Sequence, residues 1–262
     1  MSAWPTGVRR EIHGELDSSN AEALRRSAAG EAGPVWIMAR RQTAGRGRRG
    51  RAWQQDPENF AASLLLPVVG AQAAAQRSFV AALGLFDALV DATGRPELFA
   101  LKWPNDVLLR GRKLAGILLE SGQTKAGKLD LVIGIGVNLR AAPDPEDLEP
   151  GALAPTSLLA GGGVAVTPEE FLDLLAPAVA HWDGRLVAEG FAPIRAAWLA
   201  RAARLGETVV ARLPGREISG LFETVDETGA LVLATTEGRV VLPAAEVFFG
   251  PAMEETGHAP RH

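Results

Sequence analysis

The chain has no cysteine and no tyrosine, and only 4 histidines and 3 methionines among its 262 residues. Without thiols there are no disulfides, no thiolate nucleophiles and no cysteine-ligated metals. The histidines, His13, His181, His258 and His262, show no ligand-like pairing with other donors and two of them lie in the tail, so no zinc site is expected. No G-x-S-x-G elbow occurs, so hydrolase triads have no support. Long apolar runs are also missing. No stretch reaches the roughly 18 apolar residues of a membrane span. The N-terminus, MSAWPTGVRREIHGELDSSN, carries no signal-peptide core, and a cytoplasmic protein is expected. Nor does one sign of charge dominate: 27 basic against 31 acidic residues leave −4, which argues against a protein devoted to nucleic acid or membrane surfaces.

What is present is an ordinary soluble composition, 47% apolar and 22% charged, long enough for one large core and a small satellite. The local exception is basic. No acid occurs between Ala32 and Gln55, and QTAGRGRRGRAW (42–53) spaces Arg46, Arg48, Arg49 and Arg51 with Gly45, Gly47 and Gly50. These glycines spell G-x-G-x-x-G, but a dinucleotide fingerprint passes from strand into helix, whereas RAWQQDPENF follows here with no helical period. A second near-miss, GQTKAGKL (122–129), lacks the Ser/Thr of a phosphate-cradling loop and leads into a strand, so it reads as a hairpin turn.

Asp17-Ser18-Ser19-Asn20 caps a short helix, AEALRRSAA, that Gly30 stops. PVWIMARRQ and ENFAASLLLP are strands on either side of the arginine segment. Residues 73–94 place Phe79, Leu83, Phe86 and Val90 at helical spacing. LFALKWPNDVLL, KLAGILLE and KLDLVIGIGVNL are β-rich, and residues 142–155 form a Pro-rich acidic loop. Thr167-Pro168-Glu169-Glu170 is a capping box opening a helix to about Gly190, and FAPIRAAWLARAARL continues the helical reading. From Gly206 four short strands alternate with turns. The expected organisation is a main domain over 1–205, a small antiparallel β domain over 206–250 and a flexible tail over 251–262, with no internal repeat.

Four runs carry candidate chemistry. The arginine segment brings guanidinium forks that match phosphate and carboxylate oxygens, on a backbone that glycine keeps adaptable. A solvated basic loop is the plain alternative. In Lys102-Trp103-Pro104-Asn105-Asp106 the proline turn holds two charges and an amide together; Asp106 either binds a metal or pairs with Lys102, and spacing leaves both open. Lys113 opens an apolar strand with Gly116 three residues on, either a ligand-approach site or an edge gatekeeper. Asn138, in GIGVNL, must satisfy a buried amide, through backbone or through an adenine edge.

Taken in order, DSSN, GRGRRGRAW, KWPNDVLL, RKLAGILLE and GIGVNL closely resemble the biotin–protein ligases. The likeness spans about residues 12–140, and the lysines of KWPND and KLAGILLE are eleven residues apart as in that family. The β module resembles the family's C-terminal domain. The resemblance implies an α+β fold, a mixed or antiparallel sheet flanked by helices as in class II aminoacyl-tRNA synthetases, plus an SH3-like barrel. It implies ATP, biotin and Mg²⁺: biotin is activated to biotinyl-5′-AMP and passed to a lysine of the biotin carboxyl carrier domain of acetyl-CoA carboxylase or a related carboxylase.

Residue by residue, the resemblance assigns Ser18, Ser19 and Gln42 to the biotin ring region, with Gly45, Arg46 and Gly116 lining the same pocket. Arg48 and Arg51 match phosphate-contacting arginines, and Lys113 matches the lysine bridging biotin's carboxyl and the α-phosphate; these three are the catalytic set. Asn105 and Asn138 match nucleotide-side positions, Trp53 covers the adenine, and Asp106 contributes to Mg²⁺ placement. The resemblance leads one to expect a loop that is mobile without ligand and closes over the adenylate.

Some family members carry an N-terminal winged helix; with DSSN starting at Asp17 none is expected here, nor DNA-binding repression. Thr43 stands where a second glutamine sometimes follows Gln42. Without tyrosine, aromatic contacts to biotin fall to Trp or Phe. A monomer or weak homodimer, bound to neither DNA nor membrane, is expected. The alternatives are a lipoate ligase, sharing fold and acyl-adenylate logic, and a nucleic-acid module built on Arg46–Arg51, which lacks a broad basic footprint.

Overall fold

The computed structural model describes residues 3–31, 33–53, 56–68, 70–123, 129–144, 153–243 and 245–248. The strand-like runs build one mixed sheet. Its strands are β1 (Arg9–Leu16), β2 (Val35–Gln42), β3 (Phe60–Val68), β4 (Phe99–Lys102), β5 (Asp106–Leu109), β6 (Arg112–Gln123) and β7 (Leu129–Val137). Their order is β1-β2-β3-β7-β6-β5-β4; β1 and β2 are parallel, and the other neighbours antiparallel. The mixed sheet expected from the resemblance is therefore present. The 122–129 turn, apart from its first two residues and its last, lies outside the described residues, as do the tail over 251–262 and much of the acidic loop.

Period-two alternation splits the sheet into two unlike faces. Trp36, Met38, Phe60, Ala62, Leu64, Ala115, Ile117, Ile133 and Ile135 point into the main core. There they meet α2 (Ala71–Thr93) and α3 (Pro168–Glu189). Helix α2 is long and mostly apolar because its larger part is buried between the sheet and α3, as a core helix is. The opposite face carries Ile37, Ser63, Leu65, Gly116, Val132, Gly134 and Gly136 and receives α1 (Ser19–Ala29). Ser18 caps α1 and Gly30 ends it in the left-handed conformation, as the DSSN reading anticipates. Helix α3 opens with the expected capping box.

The helical reading of FAPIRAAWLARAARL is too long. Helix α4 runs Phe191–Leu199 and stops because the chain then joins the sheet edge. Leu101 donates its N–H to Arg201 O (2.8 Å) and accepts from the N–H of Ala203 (2.8 Å). Beyond it lie β8 (Thr208–Leu213), β9 (Arg216–Val225), β10 (Leu231–Thr235), β11 (Gly238–Leu242) and β12 (Glu246–Phe248), a separate antiparallel sheet ordered β11-β10-β9-β8-β12. This sheet is too small to bury a core alone, and its Phe222, Val225, Leu231 and Leu233 join the main core. Trp103 Nε1 donates to Gly229 O at 3.1 Å across the junction.

Candidate active site

A trough forms on the α1 side of the sheet because its floor has almost no side chains. Gly116 and Gly136 are cross-strand partners on β6 and β7, and Gly134 pairs with Ser63 of β3. The arginine segment arches over this floor. It closes on itself through Trp53 N–H to Gly45 O (2.9 Å) and Gly47 N–H to Arg51 O (2.7 Å), with a short 3₁₀ turn at Arg48–Gly50. Trp53 is thereby laid on the glycine pair: a Cβ on Gly136 would stand 2.4 Å from its indole ring. The indole N–H is buried with no hydrogen-bond partner among the described residues.

At one end of the trough is a polar pocket. Gln42 Oε1 accepts the Ser19 N–H at 2.7 Å, and Ser63 Oγ lies 2.8 Å from Ser19 Oγ. Ser63 also donates to Asn20 Oδ1 (2.5 Å), and Asn20 Nδ2 donates to Glu120 Oε2 (2.8 Å). Arg46 Nη2 lies 3.5 Å from the same Glu120 carboxylate. Ser18, Ser19, Asn20 and Ser63 are buried, so these donors and acceptors are held out of bulk water. Gly45 belongs here by close packing, since a Cβ would stand 2.7 Å from Trp53 O and 3.0 Å from Gln42 Nε2.

The other end is charged. Lys113 Nζ sits 2.8 Å from Asp106 Oδ1, and Lys102 Nζ sits 3.7 Å from Asp106 Oδ2. The pairing of Asp106 with Lys102 left open above is present, and Lys113, which the motif reading did not pair with it, is the nearer cation. Burial alone would raise the Asp106 pKa, but the ammonium groups, Lys113 foremost, hold it below the usual carboxylate value. Burial pushes Lys102 below the usual lysine value against the pull of Asp106. Arg48 Nη1 donates to Asn105 Oδ1 (3.2 Å), whose Nδ2 donates to Ile117 O (2.6 Å). Arg51 Nη1 reaches Glu246 Oε1 of β12 at 2.7 Å, so the C-terminal sheet touches the loop directly. Asn138 Nδ2 donates to Thr156 O at 3.1 Å, the backbone alternative left open above.

The chain folds so that Ser19, Gln42, Gly45, Arg48, Trp53, Asn105, Asp106, Lys113 and Gly116 are linked by contacts around one trough, whereas Asn138 is buried with its amide on the backbone. Reading the motifs alone missed Asn20, Ser63, Glu120 and Glu246. Ser63 sits in the apolar run ASLLL, where an isolated buried hydroxyl is the available signal; Glu246 had none, because its partner is 195 positions away. Among the described residues no three His, Asp or Glu side chains cluster as a metal cage.

A polar pocket and a cationic end are thus joined by a bare glycine floor, under an arginine loop and beside a β module. A sequence model described as the Biotin/lipoate A/B protein ligase family matches residues 14–138, and one described as the Biotin protein ligase C terminal domain matches 205–250. A "Biotin--[acetyl-CoA-carboxylase] ligase" of Paracoccus denitrificans is 58% identical over 235 residues, covering 89% of this chain and 98% of that protein. One of Mycobacterium tuberculosis with the same name is 34% identical over 248 residues, covering 90% and 87%. The biotin protein ligase of Aquifex aeolicus, solved in complex with biotin and ATP, superposes with a TM-score of 0.77 at 26% identity over 91% of this chain and 97% of that one. The chain belongs to the biotin protein ligase family.

Proposed function

We propose that this chain activates biotin with ATP and transfers it to a lysine of a carboxylase's biotin carrier domain. The observation that carries the reading is the trough itself: an uncharged hydrogen-bonding pocket at Ser19–Gln42–Ser63 lies across a glycine floor from Lys113 and the arginine loop. A ureido ring suits the first and a carboxylate meeting a phosphate suits the second.

In the first step a biotin carboxylate oxygen attacks the α-phosphorus, the bond to the β-phosphate breaks, and pyrophosphate leaves. Two unit charges 4 Å apart at a partly buried site repel by about 4 kcal/mol. Lys113, a compact cation on a flexible stem, offsets that repulsion between carboxylate and α-phosphate; Arg48 and Arg51 present forks to the outer phosphate oxygens. Asn105 and Asn138 border the nucleotide side, and Trp53 would trade its place on the floor for one above the adenine. In the second step the neutral amine of the acceptor lysine attacks the acyl carbon, AMP leaves, and the amine gives up a proton. Until then the loop shields the anhydride from water.

Mg²⁺ would enter with the triphosphate. That fits a donor set of one site carboxylate, Asp106, because Mg²⁺ keeps most of its waters and binds through substrate phosphates. The ion supplies charge neutralisation there. The acceptor reading follows the names of the two relatives above, and the net charge of −4 argues against a DNA or membrane partner. The test is ATP–pyrophosphate exchange with biotin or lipoate, followed by transfer of labelled biotin to a carrier domain. Exchange that ignores biotin, or runs equally with lipoate, refutes it.

A further inference from the structure

The resemblance gives Lys102 no role, yet it is the most buried ammonium at the site. Its side chain is 10% exposed, against 35% for Lys113. It is also fixed by the backbone, since Lys102 and Asp106 are cross-strand partners on β4 and β5. The carboxylate of Asp106 is divided: Oδ1 holds Lys113 at 2.8 Å, and Oδ2 faces Lys102 at 3.7 Å. Lys113, the more exposed cation, has the freedom to turn toward the trough, and Lys102 does not.

That division poses a problem for the reaction. In this ligand-free arrangement Asp106 competes for Lys113 with the carboxylate and phosphate that Lys113 must pair. Among the described residues, Lys113 and Glu246 also face Lys102, and Glu246 is bonded to Arg51. We propose that Lys102 is a positioning residue that takes over Asp106 when the reacting anions reach Lys113, so that Lys113 is released to them. The proposal rests on the biotin-ligase reading above.

Charge counting makes it specific. Lys102, Asp106 and Lys113 sum to one positive charge, which receives the incoming anion. Removing Lys102 alone brings the sum to zero and ties Lys113 to Asp106. Removing Lys102 and Asp106 together restores the single positive charge on Lys113. A structural role for the buried pair would also make the single variant worse than the double in stability. It would not make the defect depend on the charge of the ligand.

The test uses the full chain with Lys102→Met, Lys102→Met/Asp106→Asn and Lys102→Arg, and two probes: biotin and its neutral alcohol, biotinol. Calorimetry gives affinity, and ATP–pyrophosphate exchange gives KM and kcat separately. Lys102→Met should weaken biotin by about tenfold or more while biotinol binds as to the unmodified chain, because only the carboxylate needs Lys113. In biotin affinity read by calorimetry without ATP, the double variant should recover most of that loss and Lys102→Arg part of it; kcat should stay low in the double variant, because Asp106 is also the carboxylate that would hold Mg²⁺. Equal losses for biotin and biotinol, or a double variant no better than Lys102→Met in biotin affinity, overturn the proposal. Should Lys102→Met fail to fold, Lys102→Gln is read by the same outcomes. An unmodified chain whose exchange ignores biotin would sink the parent reading instead.

Discussion

Gly134→Ala tests whether the bare floor is required by α1 as well as by a ligand. A Cβ at Gly134 would stand 2.1 Å from Asn20 Oδ1 and 2.8 Å from Asn20 Cγ, well inside the ordinary contact distance. Asn20 is 3% exposed and is tied at both ends of its amide, to Ser63 and to Glu120. It cannot swing aside as a long surface side chain would. Forcing an extra methyl into such a site costs about 1–3 kcal/mol, and each hydrogen bond lost adds about 0.5–1.5 kcal/mol. The sum, roughly 2–5 kcal/mol, corresponds to a fall in Tm of about 5–15 °C for a chain of this size.

The assay is thermal denaturation by circular dichroism, with KM for biotin from pyrophosphate exchange as the second readout. KM should rise, because Ser19 shares the Ser63 hydroxyl with Asn20. Adding Asn20→Ala removes the clashing amide, so the double variant should be more stable than the two single losses predict by about 1 kcal/mol or more. Gly136→Ala supplies the contrast: its Cβ meets only the Trp53 indole, which rides on the loop and is half-buried. That variant should melt near the unmodified protein. A Gly134→Ala protein that melts within a degree or two of the parent, with unchanged KM, refutes the reasoning.

Lys113→Ala should lower biotin-dependent pyrophosphate exchange by about a hundredfold and leave the fold intact, since Asp106 keeps Lys102 as counter-ion; near-normal exchange removes Lys113 from the mechanism. Arg48→Gly loses both a phosphate fork and the tether to Asn105, so free biotinyl-AMP should accumulate about tenfold faster by chromatography; unchanged leakage excludes Arg48 as the clasp. The Arg25 guanidinium hydrogen-bonded to Asp17 lowers its pKa from 3.8 to about 2. A depressed carboxylate stabilises fully above its unfolded pKa, and that share is lost as pH falls from about 4 toward 2. Asp17 is 46% exposed, so Asp17→Asn should cost under about 1 kcal/mol at pH 7. The gap between the two proteins should close in that acid window, and a gap that persists at pH 2 contradicts the assignment.

Local chemistry made much of this architecture readable. Caps and stops are decided by a few neighbouring residues, so DSSN, the Thr167 capping box and Gly30 locate helix ends without tertiary information. The end of α4 was not readable, because nothing in AWLARAARL is a helix breaker; pairing of Ala202 and Ala203 with Leu101, a hundred residues earlier, ends it. The same divide runs through the site. The arginine loop stands out by composition, and Lys113 only by the resemblance of KLAGILLE to the family's motif. Ser63, Glu120 and Glu246 become functional candidates only once the sheet brings them to the trough. Alternation in GIGV was visible, but only the strand order reveals that both glycines face Trp53 and α1 and not the core.

The arginine segment shows why composition overstates a feature that geometry divides. Read as a string, it is a single cationic patch. In the fold, Arg46 faces Glu120 on β6, Arg48 is bonded to Asn105 in the β4–β5 turn, and Arg51 is paired with Glu246 of the C-terminal sheet. The backbone bonds at Gly45–Trp53 and Gly47–Arg51 keep these anchors separate, since they space the guanidinium groups along an arch. On the proposed reading, a phosphate chain entering the trough would meet donors already aimed from three directions. Its extra charge would let it displace a single carboxylate from guanidinium groups that are themselves 45% exposed, where ion pairing contributes no more than about 1 kcal/mol. Because Glu246 sits on β12, the ion pair at Arg51 ties the arginine loop directly to the small β sheet, a module too small to stand alone.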